Sequence, residues 1–178
     1  LSMSNCYWIT GLSAAGKTTL SSLLVTHLRE SGETVVHLDG DILRRVFSFD
    51  AYAREARIIN GMRYSKLCKL LSSQGVIVVI AVIGLFKELH EWNRKNIPNY
   101  VEIFIDTPIS ELQNRDPKGL YKGYESGINK NVAGMDLEVD FPLNPDIHLK
   151  WYSGRSVDSM FDELLSKSVE YNKFRNKK

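Results

Sequence analysis

Eight residues near the start of the chain match a phosphate-binding pattern. Residues 11–18 read Gly-Leu-Ser-Ala-Ala-Gly-Lys-Thr, which satisfies G-x-x-x-x-G-K-[ST]. Gly11 and Gly16 allow the backbone to turn its N–H groups inward around a polyphosphate. Lys17 can reach the β- and γ-phosphates, and the Thr18 hydroxyl can ligate Mg²⁺. Since a chance glycine-rich turn would show the full pattern in roughly 0.5% of chains of this length, the pattern predicts a nucleotide-binding loop.

Two carboxylates, Asp39 and Asp41, flank a glycine directly after a short β-rich run. In a site for phosphoryl transfer, one acid would hold the hydration shell of Mg²⁺ and the other would orient or deprotonate the acceptor hydroxyl. The residues leave open which acid does which, and an Asp-Gly turn with two solvated acids is the alternative. Arg44 lies one helical turn beyond Asp41 and could clamp an anionic acceptor with two hydrogen bonds. The phosphate-binding loop upstream favours the catalytic interpretation.

These residues need strands and helices to position them. Strand-like runs alternate with helical patterns, which predicts a right-handed parallel α/β sheet covered by helices on both faces. The strands are expected at 7–10, 34–38, 76–82, 101–106 and 147–151, and the helices at 16–30, 54–73, 87–96 and from Ser156 to about Tyr171. Each motif lies at the carboxyl end of a strand, where ligands bind in such sheets.

One long segment, residues 115–144, shows no sustained period and is rich in Lys, Gly and Asp. A loop of that length inside a compact domain is usually functional. We therefore expect an active-site lid that is mobile without ligand and becomes ordered when ATP binds.

Composition limits the classes of function. A chain of 178 residues with 43% hydrophobic and 25% charged residues is typical of one soluble domain, expected to span residues 1–178. A net charge of +2 with mixed signs predicts neither nucleic-acid nor membrane-surface binding, and no apolar run is long enough to span a bilayer.

Leu1-Ser2-Met3 lacks the regions of a signal peptide, and Cys6 and Cys68 make no disulfide framework, so we expect a cytoplasmic protein. The polar residues 172–178 are expected to fray.

Three stretches together resemble the adenylylsulfate (APS) kinase family, whose members have a P-loop kinase fold. They are Trp-Ile-Thr-Gly-Leu-Ser at 8–13, Leu-Asp-Gly-Asp-x-x-Arg at 38–44 and Arg-Asp-Pro-Lys-Gly-Leu-Tyr at 115–121. The resemblance covers the chain from about Asn5 to Leu149. It implies a homodimeric enzyme that uses ATP and Mg²⁺ to phosphorylate the 3′-hydroxyl of adenosine 5′-phosphosulfate.

The resemblance also implies roles for individual residues. The catalytic residues would be Lys17, Asp39, Asp41 and Lys118, with Thr18 and Asp39 on the metal side. The ATP-binding residues would be Gly11, Ser13, Ala14, Ala15, Gly16, Lys17, Thr18, Thr19 and Arg115, the last of them against the base. The acceptor-binding residues would be Asp41, Arg44, Tyr52, Arg57, Asn60, Ile83, Gly84, Lys118, Leu120 and Val132. Lys118 would reach the phosphates from the lid as it closes.

The chain departs from the family pattern mainly on the acceptor side. The family lid usually carries Phe-Thr-Gly, whose Phe stacks on the acceptor adenine, whereas residues 132–134 are Val-Ala-Gly. The opposing Phe aligns with Tyr52, and Phe47 or Phe49 could substitute for it. Losing one stacking partner costs roughly 1–3 kcal/mol.

Two further departures concern smaller residues. The family's Ile-Ser-Pro becomes Ile83-Gly84-Leu85, which excludes a phosphoserine at this position. Ala14 replaces a customary loop glycine, which is a small change if its φ is negative.

The departures lead to two hypotheses about the acceptor. One is a nucleotide with a smaller base and a different group on its 5′-phosphate; cytidine diphosphoramidate, on which variants of this family in bacterial capsule pathways are thought to act, would fit. The other is a true APS kinase whose acceptor site has drifted. From another class, a nucleotide-binding sensor or a GTPase-like switch is the alternative, although residues 129–132, Asn-Lys-Asn-Val, lack the Asp of a base-reading Asn-Lys-x-Asp motif.

Overall fold

A parallel sheet of five strands, in the order β2-β3-β1-β4-β5, forms the centre of the molecule. The computed structural model describes residues 5–175, with side chains for residues 5–170. The strands are β1 (Cys6–Thr10), β2 (Val35–Asp39), β3 (Ile77–Val82), β4 (Tyr100–Asp106) and β5 (Ile147–Lys150). Each lies where the sequence predicts a strand, and every neighbouring pair is parallel. The predicted fold class is confirmed.

β1 lies in the middle of the sheet because its side chains suit burial on both faces. All five of its residues are buried. Ile9 pairs with Ala81 of β3 on one side and with Ile103 of β4 on the other. Strands that are buried on both faces read as continuous apolar runs. The parallel order brings the carboxyl ends of β1 to β4 to one edge, where the loops that follow them meet.

Helices cover both faces of this sheet. Among the described residues the helices are α1 (Lys17–Glu30), α2 (Gly40–Val46), α3 (Arg54–Ser72), α4 (Lys87–Asn96), α5 (Ile109–Arg115), α6 (Leu120–Glu125) and α7 (Val157–Arg175). α1 packs against α7, and α3 packs against α4. The connection from β1 to β2 runs across the sheet in the opposite direction to those from β2 to β3 and from β3 to β4. Because such crossovers are right-handed, α1 lies on the opposite face from α3 and α4.

Three of these helices are not predicted by the sequence pattern. α2 follows β2 directly, and α6 lies inside residues 115–144, so that segment is not wholly irregular. α2, α5 and α6 have seven, seven and six residues. A helix of two turns or fewer is too short for the 3.6-residue period to be read from apolar positions.

The last helix begins as predicted, since the Ser156 hydroxyl accepts the N–H of Ser159 at 3.1 Å. It continues to Arg175, beyond the expected end and into the residues predicted to fray. The expectations for Leu1-Ser2-Met3 and for residues 176–178 lie outside the described residues. In the part of the chain that the structure covers, no helix is both long and apolar enough to cross a membrane.

The second half of the predicted lid packs against the body of the protein. Val132 and Leu137 are 1% and 5% exposed. The Asp136 carboxylate accepts the N–H groups of Asn131, at 2.9 Å, and Val132, at 2.7 Å. Asp140 accepts a hydrogen bond from Arg54 of α3 at 2.8 Å. Residues 131–140 are therefore held to the body of the protein by contacts within the chain, while ordering of the lid by ATP stays a prediction.

Candidate active site

The phosphate-binding loop connects β1 to α1 and is held by close packing. A Cβ on Gly11 would lie 2.8 Å from the carbonyl oxygen of Ile105. Gly16, the N-cap of α1, has a φ of 99°, a left-handed backbone that favours glycine. The loop thus leads into a helix N-terminus, where unpaired N–H groups and the helix dipole attract phosphate.

Ala14 adopts a strained backbone within this loop. Its φ is 64°, so the condition under which replacing glycine would be a small change is not met. A left-handed backbone costs a non-glycine residue about 1–2 kcal/mol. The Ala14 carbonyl accepts a hydrogen bond from Arg115 at 3.2 Å, which helps to hold this conformation.

Lys17 lies inside the loop with its amine directed at the backbone. Its Nζ donates to the carbonyl of Leu12 at 2.6 Å. Burial, followed by the charge of Lys118, lowers the pKa of Lys17 to about 8, although Asp41 and Asp39 act in the opposite direction. A phosphate beside the amine would replace the lost hydration and favour the charged form.

This pKa predicts how ATP binding depends on pH. Above pH 8 the free protein carries a neutral Lys17 amine, so binding of a polyphosphate must take up a proton. The Kd for ATP is expected to be flat between pH 6.5 and pH 7.5 and to rise by up to about tenfold per pH unit above pH 8. Titration calorimetry in two buffers of different ionisation enthalpy measures both the Kd and the proton uptake. Lys17→Arg, which stays charged, should lose the rise, and a flat wild-type profile to pH 9.5 would contradict the assignment.

Thr18 and Asp39 form a pair suited to Mg²⁺. The Thr18 hydroxyl donates to Asp39 Oδ2 at 2.8 Å, and Asp39 Oδ1 accepts the N–H of Asp41 at 2.9 Å, which caps α2. Among the described residues no cluster of three or more His, Cys, Asp and Glu side chains could hold a metal ion. Mg²⁺ usually keeps several waters and binds through one or two protein oxygens plus substrate phosphates. A hydroxyl and one carboxylate beside the phosphate-binding loop fit that requirement.

Asp41 and Lys118 face each other across the mouth of the site. Lys118 Nζ contacts Asp41 Oδ2, and both side chains are more than half exposed. Asp39 is engaged through both oxygens, by Thr18 and by the backbone of α2. The Asp41 carboxylate thus contacts an exposed lysine, whereas the Asp39 carboxylate is held by a side chain and a backbone N–H group.

The stretch 115–121 connects the base of the lid to the phosphate-binding loop. Arg115 lies over the ring of Trp151, 5.3 Å from its centroid. Asp116 caps α6 by accepting the N–H groups of Tyr121, at 3.2 Å, and Lys122, at 3.0 Å. The hydroxyl of the buried Tyr121 donates to the carbonyl of Ser13 at 3.0 Å. Burial, followed by the charge of Asp116, raises the pKa of Tyr121 to about 12, so this donor keeps its proton at physiological pH.

A cavity of about 930 Å³ joins these groups to the acceptor side. The predicted residues that line it are Ser13, Ala14, Gly16, Lys17, Thr18, Thr19, Asp39, Asp41, Arg44, Arg57, Asn60, Ile83, Gly84, Arg115 and Lys118. Gly11 and Ala15 belong to the loop but are buried and do not line the cavity.

Two guanidinium groups form one side of the cavity. Arg57 donates to the carbonyls of Tyr52, at 2.8 Å, and Asn131, at 2.9 Å. Arg44 lies over the Tyr52 ring, 4.6 Å from its centroid. Burial, followed by the charge of Arg44, lowers the pKa of Arg57 to about 10. An anionic group between the two arginines would offset this repulsion, so this side of the cavity suits a phosphate.

Comparison with known proteins agrees with this geometry. Residues 3–150 match the adenylylsulphate kinase family. The chain belongs to the APS kinase family. It is 40% identical over 138 residues to cytidine diphosphoramidate kinase from Campylobacter jejuni, which covers 76% of this chain and 79% of that protein. It is 38% identical over 144 residues to adenylyl-sulfate kinase from Rippkaea orientalis, with 80% of each chain covered.

Solved structures lead to the same family. The Mycobacterium tuberculosis APS kinase CysC in complex with AMPPNP and APS superposes with a TM-score of 0.85 at 31% identity, covering 93% of this chain and 98% of that one. The APS kinase fold therefore extends over nearly the whole of this chain. As a member of this family, the chain is a kinase, that is, a phosphotransferase.

Three residues expected in the acceptor pocket of an APS kinase do not line the cavity formed by the described residues. Val132 is 1% exposed and packs into the core, because Asp136 fixes its backbone with the side chain turned inward. Tyr52 is 46% exposed and packs against Arg44 instead. Leu120 begins α6 and packs against the core.

Ile83 and Gly84 line the cavity, but their carbonyls are already engaged. The Thr10 hydroxyl donates to the carbonyl of Ile83. His90 Nε2 lies 2.9 Å from the carbonyl of Gly84. Each of these carbonyls therefore already accepts one hydrogen bond and, with two lone pairs, can accept one more.

Sequence reasoning missed several residues that line the acceptor side. They are Trp8, Tyr64, Phe86 and Leu89, which together give that end of the cavity an aromatic and apolar wall. Phe47, considered above as a substitute stacking residue, packs on Tyr64 with ring centroids 5.8 Å apart. Tyr64 could have been found, since it lies four residues after Asn60 and therefore on the same helix face.

Proposed function

We propose that this kinase transfers the γ-phosphoryl group of ATP to the ribose 3′-hydroxyl of a 5′-modified cytidine nucleotide, with cytidine diphosphoramidate as the acceptor. The observation that carries the proposal is that Tyr52 and Val132, the two positions aligned with the aromatic pair that encloses the adenine in an APS kinase, are not among the described residues that line the cavity. Val132 stands in the core, and the Tyr52 ring packs on Arg44. The similarity to the cytidine diphosphoramidate kinase of Campylobacter jejuni supports it.

The donor half of the proposed reaction uses the loop and the metal pair. Loop N–H groups and the N-terminus of α1 bind the β- and γ-phosphates, and Lys17 places a positive charge beside them. Thr18 and Asp39 would hold Mg²⁺, which when bound neutralises charge on the phosphate oxygens. Arg115 would lie against the base of ATP, held by the Ala14 carbonyl and Trp151.

The acceptor half of the proposed reaction uses Asp41. Its carboxylate would take the proton of the 3′-hydroxyl as the 3′-oxygen bonds to the γ-phosphorus and the bond from that phosphorus to the bridging oxygen of ADP breaks. Lys118, which contacts Asp41, would move to the transferred group and stabilise its charge. Arg44 and Arg57 would hold the 5′-phosphates. The resemblance implies a homodimer, and the cysteine content implies the cytoplasm. Both are part of the proposal.

Steady-state kinetics with defined acceptors test this proposal. The kcat/KM for cytidine diphosphoramidate is expected to exceed that for APS by about tenfold or more, because the lost stacking term is roughly 1–3 kcal/mol. Nuclear magnetic resonance of the product identifies the hydroxyl that carries the new phosphate, and we expect it to be the 3′-hydroxyl. A higher kcat/KM for APS would instead establish the alternative, a true APS kinase with a drifted acceptor site.

A further inference from the structure

A second cavity, of about 360 Å³, lies beside β5, the strand at one edge of the sheet. Its lining side chains come from β5, from the β5–α7 connection (residues 151–156) and from α7. They are His148, Lys150, Tyr152, Arg155, Glu163 and Lys167. None of these residues lines the cavity of the candidate active site. The reaction proposed for that site therefore does not account for the second cavity.

Positive charge dominates the lining of the second cavity. Lys150, Arg155 and Lys167 are cations, whereas Glu163 is the one carboxylate among the described residues that line it. Burial acts to raise the pKa of Glu163, but hydrogen bonds from Lys167 and then from Arg155 outweigh it and lower the pKa, so the carboxylate is ionised. His148, the remaining titratable nitrogen group, is paired with a carboxylate of β4. The excess of positive charge favours an anionic ligand.

One interpretation of these charges is that they only tie the β5–α7 connection to α7. Glu163 contacts Arg155 and pairs with Lys167 Nζ at 2.6 Å. Arg155 also donates to the carbonyl of Lys150, and Lys167 donates to the carbonyl of His148 at 2.9 Å. These contacts account for Glu163 and for two of the three nitrogens of Arg155, but they leave other donors of the lining unused.

Arg155 is the group that the tie leaves incomplete. Its side chain is only 4% exposed, and its Nε has no hydrogen-bond partner among the described residues. A buried guanidinium is costly unless its charge is balanced and its N–H groups are bonded. Lys150 Nζ takes part in no hydrogen bond or ion pair with the part of the chain that the structure describes. The Lys167 ammonium has three N–H donors, of which the tie uses two.

We propose that the second cavity binds inorganic phosphate. Lys150, Arg155 and Lys167 donate to its oxygens. The Glu163 carboxylate accepts the proton that inorganic phosphate keeps at physiological pH. Sulfate and the dianion of a phosphate monoester have no such proton, so they meet this carboxylate as one acceptor against another. The inference goes beyond the proposed function and does not depend on which acceptor the kinase phosphorylates.

Nuclear magnetic resonance of ¹⁵N-labelled protein at pH 8 tests the proposal with three dianions. Hydrogen phosphate keeps a proton at this pH, whereas sulfate and methyl phosphate do not. AMPPNP and Mg²⁺ are present throughout, so that the phosphate-binding loop is occupied. The amide resonances of residues 148–155 and 163–167 are expected to shift with phosphate, with a Kd of about 1–10 mM. The Kd values for sulfate and methyl phosphate are expected to be about tenfold higher.

Two variants with a matched control test the lining residues. Lys150→Glu reverses an exposed charge and should raise the Kd for phosphate by about tenfold or more. Lys95→Glu makes the same change at an exposed position of α4 that lines neither cavity, and it should keep the wild-type Kd. Glu163→Gln should bring the Kd values for phosphate and sulfate to within about threefold of each other. Thermal unfolding checks the fold of each variant, and Lys150→Glu decides the site if Glu163→Gln does not fold.

Several results would overturn the inference. Shifts confined to the amides around Arg44 and Arg57 would place phosphate in the active site instead. Equal shifts with sodium chloride at the same ionic strength would indicate screening without a site. A Kd for phosphate that Lys150→Glu leaves unchanged, or sulfate or methyl phosphate binding as tightly as phosphate, would contradict the assigned ligand. None of these results touches the proposed kinase reaction, which the kcat/KM values for nucleotide acceptors test separately.

Discussion

Lys17→Ala is expected to lower kcat/KM for ATP by about 10³-fold or more while the fold persists. The amine is half-buried inside the loop and donates to the Leu12 carbonyl at 2.6 Å. It lies in the loop that would bind the β- and γ-phosphates, so its charge would act directly beside them. Coupled ADP release at saturating acceptor measures the loss, and circular dichroism checks the fold.

Lys66→Ala provides the control for this substitution. Lys66 is exposed on α3 and does not line the cavity. Lys66→Ala should keep wild-type turnover. That result would show that removing one positive charge from the surface does not by itself lower the rate. Turnover within tenfold of wild type in a folded Lys17→Ala protein would contradict the donor site described here.

Asp41→Asn is expected to lower kcat by about 10²- to 10⁴-fold with little change in the Kd for ATP. The amide is nearly the same size as the carboxylate but accepts no proton from the 3′-hydroxyl. Asp41 is more than half exposed, so the substitution leaves the core unchanged. Single-turnover mixing with radiolabelled ATP isolates the chemical step from product release.

Two further variants test whether the loss of rate in Asp41→Asn is specific to the carboxylate of Asp41. Asp50→Asn, at an exposed position outside the cavity, should behave as wild type. Asp39→Asn should raise the Mg²⁺ concentration needed for half-maximal rate, because Asp39 shares a hydrogen bond with Thr18. If Asp39→Asn loses the chemical step and Asp41→Asn keeps it, the roles of the two acids are reversed.

The sequence predicts the sheet and the donor half of the site well, for a physical reason. Residues 78–82 of β3 and the residues of β1 around Ile9 are buried, so their apolar runs are long and unambiguous. The loop pattern depends on residues whose roles are local: glycine for backbone conformation, lysine for charge and threonine for a hydroxyl. Thr18 and Asp39 indeed meet, since both follow strands whose carboxyl ends share one edge.

The acceptor half is less predictable because its geometry depends on contacts between distant segments. Val132 aligns with a residue that stacks on a base, yet the carboxylate of Asp136 turns it into the core. The positive φ of Ala14 is likewise set by its surroundings, in which Arg115 binds its carbonyl from 101 positions away. The Asn60 amide is hydrogen-bonded to the hydroxyl of Tyr64, a residue that no motif includes.

The bond between Tyr121 and the Ser13 carbonyl also has a consequence for how the protein is made. The two residues are 108 positions apart, and β1 gains its second neighbour only when β4 has been made as far as Asp106. At about 5–20 residues per second, the loop exists as unanchored chain for about 5–20 s before Tyr121 is synthesised. Nucleotide stabilises only a state that can bind it. ATP therefore stabilises the finished enzyme but gives no protection to the nascent chain during that interval.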